Sequence, residues 1–323
     1  MTVSPGQATA GATGLTLQFT FAATTNGPAS GGVVTMQIPS GWTAPRLAAG
    51  SGHVSLSAGT CRQASISSVI GSTVTVQMAC RSGQSLVLTY GPATAPGTPG
   101  PYVFATASAD HGGPLHPIAV QPSVTVSAGA TTHFAVFGPS SATAGTAFNF
   151  TVRALDAFDN VVTGYSGIVH FSSTDVLATL PANATLSNGS GTFSASLRTA
   201  GAQTITATDT ADSSITGTSN TITVGAAAAS HFAVSAPASA TSGVAFNFTV
   251  TALDQFNNVA LGYSGTAHFT SSDGAAILPA DSTLTNGTGT FSATLQTGGD
   301  QTITATDTAT STITGTSNTI SVL

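Results

Sequence analysis

The segment AFNFTVTALDQFNN, residues 245–258, alternates apolar and polar side chains over its first half. Phe246 and Phe248 fall on one face of an extended chain, and Asn247 and Thr249 fall on the other. This period of two is typical of a β-strand with one buried face. The segment therefore predicts a strand that leads into a turn rich in Asn.

The same pattern occurs earlier in the chain, as AFNFTVRALDAFDN at residues 147–160. The offset is 98 residues, and it holds without a gap from His133 and His231 to Val224 and Val322. Most aligned positions are identical, so the chain contains a tandem duplication. A unit of this size matches one small β-sandwich. Residues 1–127 remain as a dissimilar domain.

Short alternating runs separated by Gly and Pro continue along the chain, and no window keeps an apolar period of 3.6 residues. We therefore predict an all-β fold with almost no helix. The expected architecture is an elongated rod of three immunoglobulin-like sandwiches, with domains at 1–127, 131–225 and 229–323.

Several local predictions follow the same pattern. Residues 1–13 are expected to form an edge strand or a loose arm, and 26–32 a turn. Residues 202–208 and 214–224 each read as one strand. Asn-Gly pairs at 188–189 and 286–287 predict tight turns.

The charged residues are few and chemically restricted. All five basic residues are Arg and all eleven acidic residues are Asp, which gives a net charge of −6. Nucleic-acid binding needs a basic face, and this chain is acidic. Insertion into a membrane as a helix needs about 18 apolar residues in a row, and the sequence contains no such run. A chain without Lys forms no Schiff base, and no glycine-rich nucleotide loop follows a strand. We predict a non-enzymatic protein without a cofactor, a nucleic-acid partner or membrane insertion.

The segments Ala154–Gly164 and Ala252–Gly262 resemble bacterial immunoglobulin-like repeats of the invasin and intimin type. That family carries Ala-x-Asp, a spacer, Gly-Asn-x-Val and a later Gly. The resemblance covers residues 131–323, whereas the N-terminal domain is similar only loosely to segments of bacterial surface proteins. Asp159 and Asn257 stand where the family has Gly, and both residue types tolerate left-handed backbone angles.

The resemblance implies a stalk or adhesin module at the cell surface or outside the cell. Its partners would be proteins or glycans, or copies of itself. Two alternatives remain open from the sequence. One is a filament subunit joined by β-strand addition at exposed edges, and the other is a carbohydrate-binding array.

The only cysteines, Cys61 and Cys80, predict one disulfide in an exported protein. A hairpin turning at Ile70 and Gly71 would place them opposite each other. The apolar alternation instead pairs Ile66 with Val74 and Ala64 with Val76, and a bulge would reconcile the two registers.

The remaining candidate sites have both a functional and a structural interpretation. Asp156, Asp159 and Asp254 could supply oxygen ligands for Ca²⁺, but no dense calcium-loop spacing occurs. The favoured interpretation is Asx-turns and loop caps, with no bound metal. His111 and His116 could bind zinc, although a solvated loop over 109–117 is the simpler expectation.

Trp42, the sole tryptophan, is the candidate contact residue for a partner or a sugar ring. The alternative is that it plugs the end of its own sandwich. Met36 and Met78 also lie in 1–127, and this composition predicts that the first domain carries the specific contact while the repeats act as spacers.

Overall fold

The computed structural model describes residues 1–24, 31–110 and 112–323. The turn predicted at 26–32 lies mostly outside these residues, and so does His111. The described residues contain strands and turns but no helix, as the alternating pattern predicts. Among them, no helix is long and apolar enough to cross a membrane.

The strands of the N-terminal segment extend from Thr2 to Ser127. They are β1 (Thr2–Ser4), β2 (Gln7–Thr9), β3 (Leu15–Ala22), β4 (Gly32–Gln37), β5 (Val54–Ser57), β6 (Gln63–Ile70), β7 (Thr73–Ala79), β8 (Ser85–Ala93), β9 (Gly100–Val103), β10 (Thr106–Ala109), β11 (His116–Pro117) and β12 (Ser123–Ser127).

The first repeat gives strands from His133 to Gly225. They are β13 (His133–Phe137), β14 (Ser141–Thr143), β15 (Ala147–Leu155), β16 (Ile168–Ser173), β17 (Ala184–Thr185), β18 (Ser190–Ser196), β19 (Gly201–Gln203), β20 (Ile205–Asp209), β21 (Thr216–Thr218) and β22 (Ile222–Gly225).

The second repeat gives the equivalent strands from His231 to Val322. They are β23 (His231–Ser235), β24 (Ser239–Ala240), β25 (Ala245–Leu253), β26 (Thr266–Ser271), β27 (Ser282–Thr283), β28 (Thr288–Thr294), β29 (Gly299–Gln301), β30 (Ile303–Asp307), β31 (Thr314–Thr316) and β32 (Ile320–Val322).

The chain divides into two compact units. The first unit comprises Met1–His133, Arg153–Ser166 and Leu186–Ser190, and the second comprises Phe134–Val152, Gly167–Thr185 and Gly191–Leu323. This division does not follow the repeat boundaries, so the three-domain scheme with its limits stays a prediction.

The described strands of residues 1–127 form three sheets, with orders β1-β3-β8-β5, β11-β10-β4-β7-β6 and β2-β12-β9. The start of the chain is an edge strand, because β1 pairs only with β3 at the end of its sheet, and β2 pairs in parallel with β12. Tyr90, Phe19 and Phe104 are among the largest fully buried side chains. A core of this kind follows from alternating strands that turn one face inward.

The two repeats have identical sheet orders. The first has β13-β15-β18, β14-β22-β19 and β17-β16-β20-β21, and the second has β23-β25-β28, β24-β32-β29 and β27-β26-β30-β31. Each core contains three packed phenylalanine rings. In the second repeat, the ring centroids of Phe248, Phe269 and Phe291 lie 4.8–5.8 Å apart, which is the normal range for favourable aromatic pairs.

Two single strands predicted in the first repeat are each split between sheets. Residues 201–209 give β19 and β20, and residues 216–225 give β21 and β22. At the second break, the Ser219 hydroxyl accepts a hydrogen bond from the backbone N–H of Ile205 at 3.0 Å. Because both halves alternate, the period of two does not reveal where the chain passes from one sheet to the other.

The predicted turns adopt the expected backbone angles. Asn188 and Gly189 have φ of 50° and 70°, and Asn286 and Gly287 have φ of 50° and 72°, as a tight hairpin turn with two positive φ values requires. A Cβ atom at Gly189 would collide with the carbonyl oxygen of Val162, so this position needs glycine.

The register predicted for the cysteine hairpin is wrong. Ile66 pairs with Val76 and Ala64 with Met78, and the register shifts between Ile66 and Ser68. A bulge is therefore present, although it lies in a different register from the one predicted. The structure joins Cys61 and Cys80 by a disulfide with a Cα–Cα distance of 4.5 Å.

Candidate functional site

Two equivalent loops, Asp156–Asn160 and Asp254–Asn258, have the pattern Asp-x-Phe-x-Asn; we call them the junction loops. Each follows directly after the long strand of its repeat, β15 or β25. The fourth residue of each loop, Asp159 or Asn257, has a φ of 61° or 66°. These are the left-handed angles that the substitution for Gly predicts.

The first residue of each junction loop is a buried carboxylate surrounded by N–H donors. Asp254 is 0% exposed. Its Oδ1 accepts backbone N–H bonds from Phe256 at 2.8 Å and Asn258 at 2.9 Å, and its Oδ2 accepts one from Ala227 at 2.9 Å. The Asn258 side-chain amide also donates to Oδ2, at 2.9 Å. The carboxylate thus joins its own loop to the linker that precedes the repeat.

Asp156 makes the same contacts one repeat earlier. It is 1% exposed and accepts N–H bonds from Phe158 at 2.8 Å, Asn160 at 3.0 Å and Gly129 at 2.8 Å. Burial alone would raise the pKa of both carboxyls, but the Asn side chain and the backbone donors outweigh it, so each pKa lies below its usual value. Both carboxylates are held as anions.

The last residue of each junction loop reaches a segment far away in sequence. The Asn258 amide donates to the carbonyl of Arg198 at 2.7 Å, and its oxygen accepts the N–H of Ala200 at 2.8 Å. The Asn160 amide donates to the carbonyl of Gly97 at 2.6 Å. Each Asn therefore ties its loop to the segment that precedes its own repeat.

The central Phe packs against a glycine of the preceding segment. A Cβ atom at Gly145 would lie 2.6 Å from the Phe256 ring, and one at Gly97 would lie 2.7 Å from the Phe158 ring. Since these distances are too short for a real side chain, the absent Cβ makes the close approach possible. The Arg198 guanidinium also lies 5.6 Å from the centroid of the Phe256 ring, within range of a cation–π interaction.

A second carboxylate positions the segment of the first repeat that Asn258 contacts. Asp175 is 3% exposed and accepts the N–H groups of Arg198 at 2.5 Å and Thr199 at 3.0 Å. The Thr199 hydroxyl donates to it at 2.7 Å. These bonds fix the backbone on both sides of the Arg198 carbonyl that Asn258 contacts.

The calcium alternative has little support in this geometry. The oxygens of Asp156 and Asp254 already accept N–H donors, and Asp159 faces His133 at 3.1 Å. Within the described residues, no three His, Cys, Asp or Glu side chains form a group that could hold a metal. The Asx-turn interpretation accounts for the observed bonds, because each Asp accepts the N–H two residues ahead.

Trp42 lies in the core, and little of its side chain is exposed. It is 7% exposed, and its ring packs 5.5 Å from Phe104 and 6.2 Å from Tyr102. These contacts fit the alternative interpretation, in which Trp42 plugs the end of its own sandwich, and a contact role for Trp42 stays a prediction. Met36 and Met78 are also buried, at 1% and 4%. The composition that favoured residues 1–127 as the contact domain is therefore core composition.

Sequence reasoning located the Asp residues but missed their neighbours. Phe158, Asn160, Phe256 and Asn258 act across a large sequence separation that local patterns do not report. One signal was available, since each duplicated turn carries a large aromatic residue where a turn ordinarily has polar residues.

No protein-family model matches this chain. No curated protein matches it either. Solved structures give partial similarities. The Escherichia coli adhesin FdeC is 18% identical over 100% of this chain and 96% of its own, with a TM-score of 0.41. InvD of Yersinia pseudotuberculosis is 13% identical over 98% and 95%, with a TM-score of 0.45.

Invasin, described as a bacterial integrin-binding protein, is 16% identical over 99% of this chain and 59% of its own, with a TM-score of 0.38.

Proposed function

We propose that this chain is a non-enzymatic module of a bacterial surface protein, in which the two repeats act as spacers and the junction loops fix successive domains. The domain limits proposed are 1–127, 131–225 and 229–323. The module would hold an adhesive segment at the cell surface, with a protein or glycan as partner.

The observation that carries this proposal is that both junction loops make the same kinds of contact. Each Asp bonds to the linker before its repeat, at positions 98 residues apart. Each Asn and each Phe contacts the segment that precedes its repeat. A linker of about six residues by itself permits bending. At each junction, a buried carboxylate accepts an N–H group of the linker, and an Asn side chain forms a hydrogen bond with the preceding segment. A Phe ring also packs on a glycine of that segment. Each hydrogen bond makes a net contribution of about 1 kcal/mol to stability. Several such bonds together therefore favour one orientation of the repeat relative to the preceding segment.

The test measures how freely the two repeats move. Ser213→Cys and Ser311→Cys place spin labels at equivalent exposed positions, and both native cysteines are in the disulfide. We expect a narrow distance distribution in the parent chain. The double variant Phe256→Ala with Asn258→Ala should broaden it.

Phe158→Ala with Asn160→Ala is the matched control, because it alters the other junction loop and should leave this distribution narrow. An equally broad distribution in the parent chain and the Phe256 variant would contradict the spacer proposal.

A filament joined by strand addition is the second candidate. Strand β6 is the end strand of its sheet, contains no charged residue or Pro, and ends at Ile70, which is 75% exposed. Such an edge can pair with another chain, although the bulge after Ile66 opposes pairing. Sedimentation at high protein concentration tests this candidate. If the parent chain forms polymers and the Ser65→Lys variant does not, the result would favour the filament candidate.

The carbohydrate-binding array has no comparable support. It rested on the Trp42 ring, and that ring is in the core.

A further inference from the structure

The second repeat retains the surface that receives a junction loop in the first repeat. Gly243 occupies the position of Gly145, and both have a φ of 76°. Gln296 and Gly298 occupy the positions of Arg198 and Ala200. The three elements that contact Phe256 and Asn258 in the first repeat, a glycine, a backbone carbonyl and a backbone N–H, therefore recur. We call residues 243 and 296–298 the receiving surface.

The carboxylate that positions this surface recurs with the same bonds. Asp273 accepts the N–H groups of Gln296 at 2.6 Å and Thr297 at 3.0 Å, and the Thr297 hydroxyl at 2.7 Å. These donors hold the pKa of Asp273 well below its usual range. The backbone of the receiving surface is thus held as it is in the first repeat.

Exposure distinguishes the two copies of this surface. Arg198 and Thr199 are partly covered in the first repeat, whereas Gln296 and Thr297 are exposed in the second. No side chain packs on Gly243 as closely as Phe256 packs on Gly145, since the nearest atom to a Cβ there is Gln296 Oε1 at 3.7 Å. The receiving surface therefore has room for an aromatic ring.

We propose that the receiving surface is a docking site for the Asp-x-Phe-x-Asn loop of a further repeat of this type. The incoming Phe would lie on Gly243, and the incoming Asn would donate to the Gln296 carbonyl and accept the Gly298 N–H. Ser242 Oγ already donates to that carbonyl at 2.8 Å, but a carbonyl oxygen has two lone pairs. This inference rests on the spacer function proposed above.

The first domain of a second copy does not supply such a loop. Residues 1–127 contain Asp110 as their only Asp and no Asp-x-Phe-x-Asn sequence. Head-to-tail stacking of whole chains therefore lacks the group that this surface fits, and the occupant is a repeat.

The experiment appends a copy of residues 226–323 after Leu323 of the full chain and measures amide hydrogen exchange. We expect the Gly298 amide to exchange at least about tenfold more slowly than in the parent chain, as a newly bonded N–H does. Phe256→Ala with Asn258→Ala in the appended copy alone should remove this protection. Gln296→Arg restores the cation opposite the ring and should raise the protection by a further factor of about two to five.

The Ala200 amide is the internal control in the same sample, because it already donates to Asn258. Protection at Ala200 without a change at Gly298, with the appended repeat folded by circular dichroism, would overturn this inference alone. Absence of protection at Ala200 would overturn the spacer function as well. Protection of Gly298 in the parent chain that rises with protein concentration would identify a second copy as the occupant and also overturn the proposal.

Discussion

Removing the Asp254 carboxylate should strongly destabilise the second repeat. Asp254→Ala deletes an acceptor that is 0% exposed and leaves the donors of Ala227, Phe256 and Asn258 without their partner. Hydrogen bonds to charged groups contribute about 1.5–3 kcal/mol each, and water recovers part of that loss. We expect a loss of about 3–5 kcal/mol for residues 231–323.

This loss is large beside the total stability of a domain, which is about 5–15 kcal/mol. For a domain of this size, about 1 kcal/mol shifts the melting temperature by 4–8 °C, so the shift should be about 12–40 °C. Hydrogen exchange during urea unfolding, read by mass spectrometry on peptides from 231–323, separates this repeat from the rest of the full chain. Asp300→Ala, at an exposed position, is the control and should change stability by less than about 0.5 kcal/mol.

The pH dependence of stability gives a second test of the same carboxylate. The pKa of Asp254 is lowered in the folded chain, so its ionised form is the stabilising one. Its contribution is complete above the pKa of an unfolded Asp, about 3.9, and is lost as the pH falls through the lower folded value. Asp254→Asn should therefore lose less stability than the parent chain between about pH 5 and pH 2. A loss below about 1 kcal/mol at pH 7 in Asp254→Ala would refute the role given to this carboxylate.

Three other predictions concern the disulfide, metal and the contact domain. The protein should migrate faster on non-reducing than on reducing gels, and the unfolded chain should show no free thiol. Closing a loop between cysteines 19 residues apart is worth about 3 kcal/mol, and two titratable thiols would contradict the bond. Melting temperatures in EDTA and in millimolar Ca²⁺ should agree within about 2 °C, since a ligand that binds only the native state must raise them. Since the two repeats are near copies, neither offers surface chemistry that the other lacks, and the dissimilar residues 1–127 remain the expected contact. Deleting 229–323 should therefore leave adhesion to a surface partner intact, whereas deleting 1–127 should abolish it. If residues 131–323 alone adhered as well as the full chain, the contact surface would lie in the repeats.

Much of the local structure could be predicted because it depends on neighbouring residues. The strand over 147–155 follows from strict alternation, and it has these bounds in the structure. The Asn-Gly turns and the left-handed Asp159 and Asn257 follow from backbone sterics alone. These features need no knowledge of the rest of the chain.

Sheet crossing and strand register could not be predicted in the same way. A strand that passes from one sheet to the other alternates on both sides of the break, so β21 and β22 read as one strand. In the β6–β7 hairpin, the bulge after Ile66 changes which side chains face each other, and small polar residues such as Ser65 and Ser68 leave the register weakly specified by the apolar pattern.

In the candidate site, the local contacts of the Asp residues could be predicted, whereas the distant contacts of the Asn residues could not. An Asp in a turn is expected to bond nearby N–H groups, and Asp156 and Asp254 do so. The contacts of Asn160 with Gly97 and of Asn258 with Arg198 join residues about 60 positions apart. Such contacts depend on where the preceding segment lies, which composition and periodicity do not specify.

The junction contacts also show how a chain with few charges can hold each junction loop against the segment that precedes its repeat. Surface ion pairs contribute little and are screened by salt, and this chain has five Arg, eleven Asp and no Lys or Glu. Each junction instead uses an Asn amide on a backbone carbonyl, an aromatic ring on a glycine and a carboxylate enclosed by N–H donors. Neutral groups and a buried anion respond weakly to ionic strength. In the proposed spacer role, such contacts would keep their geometry when the salt concentration varies.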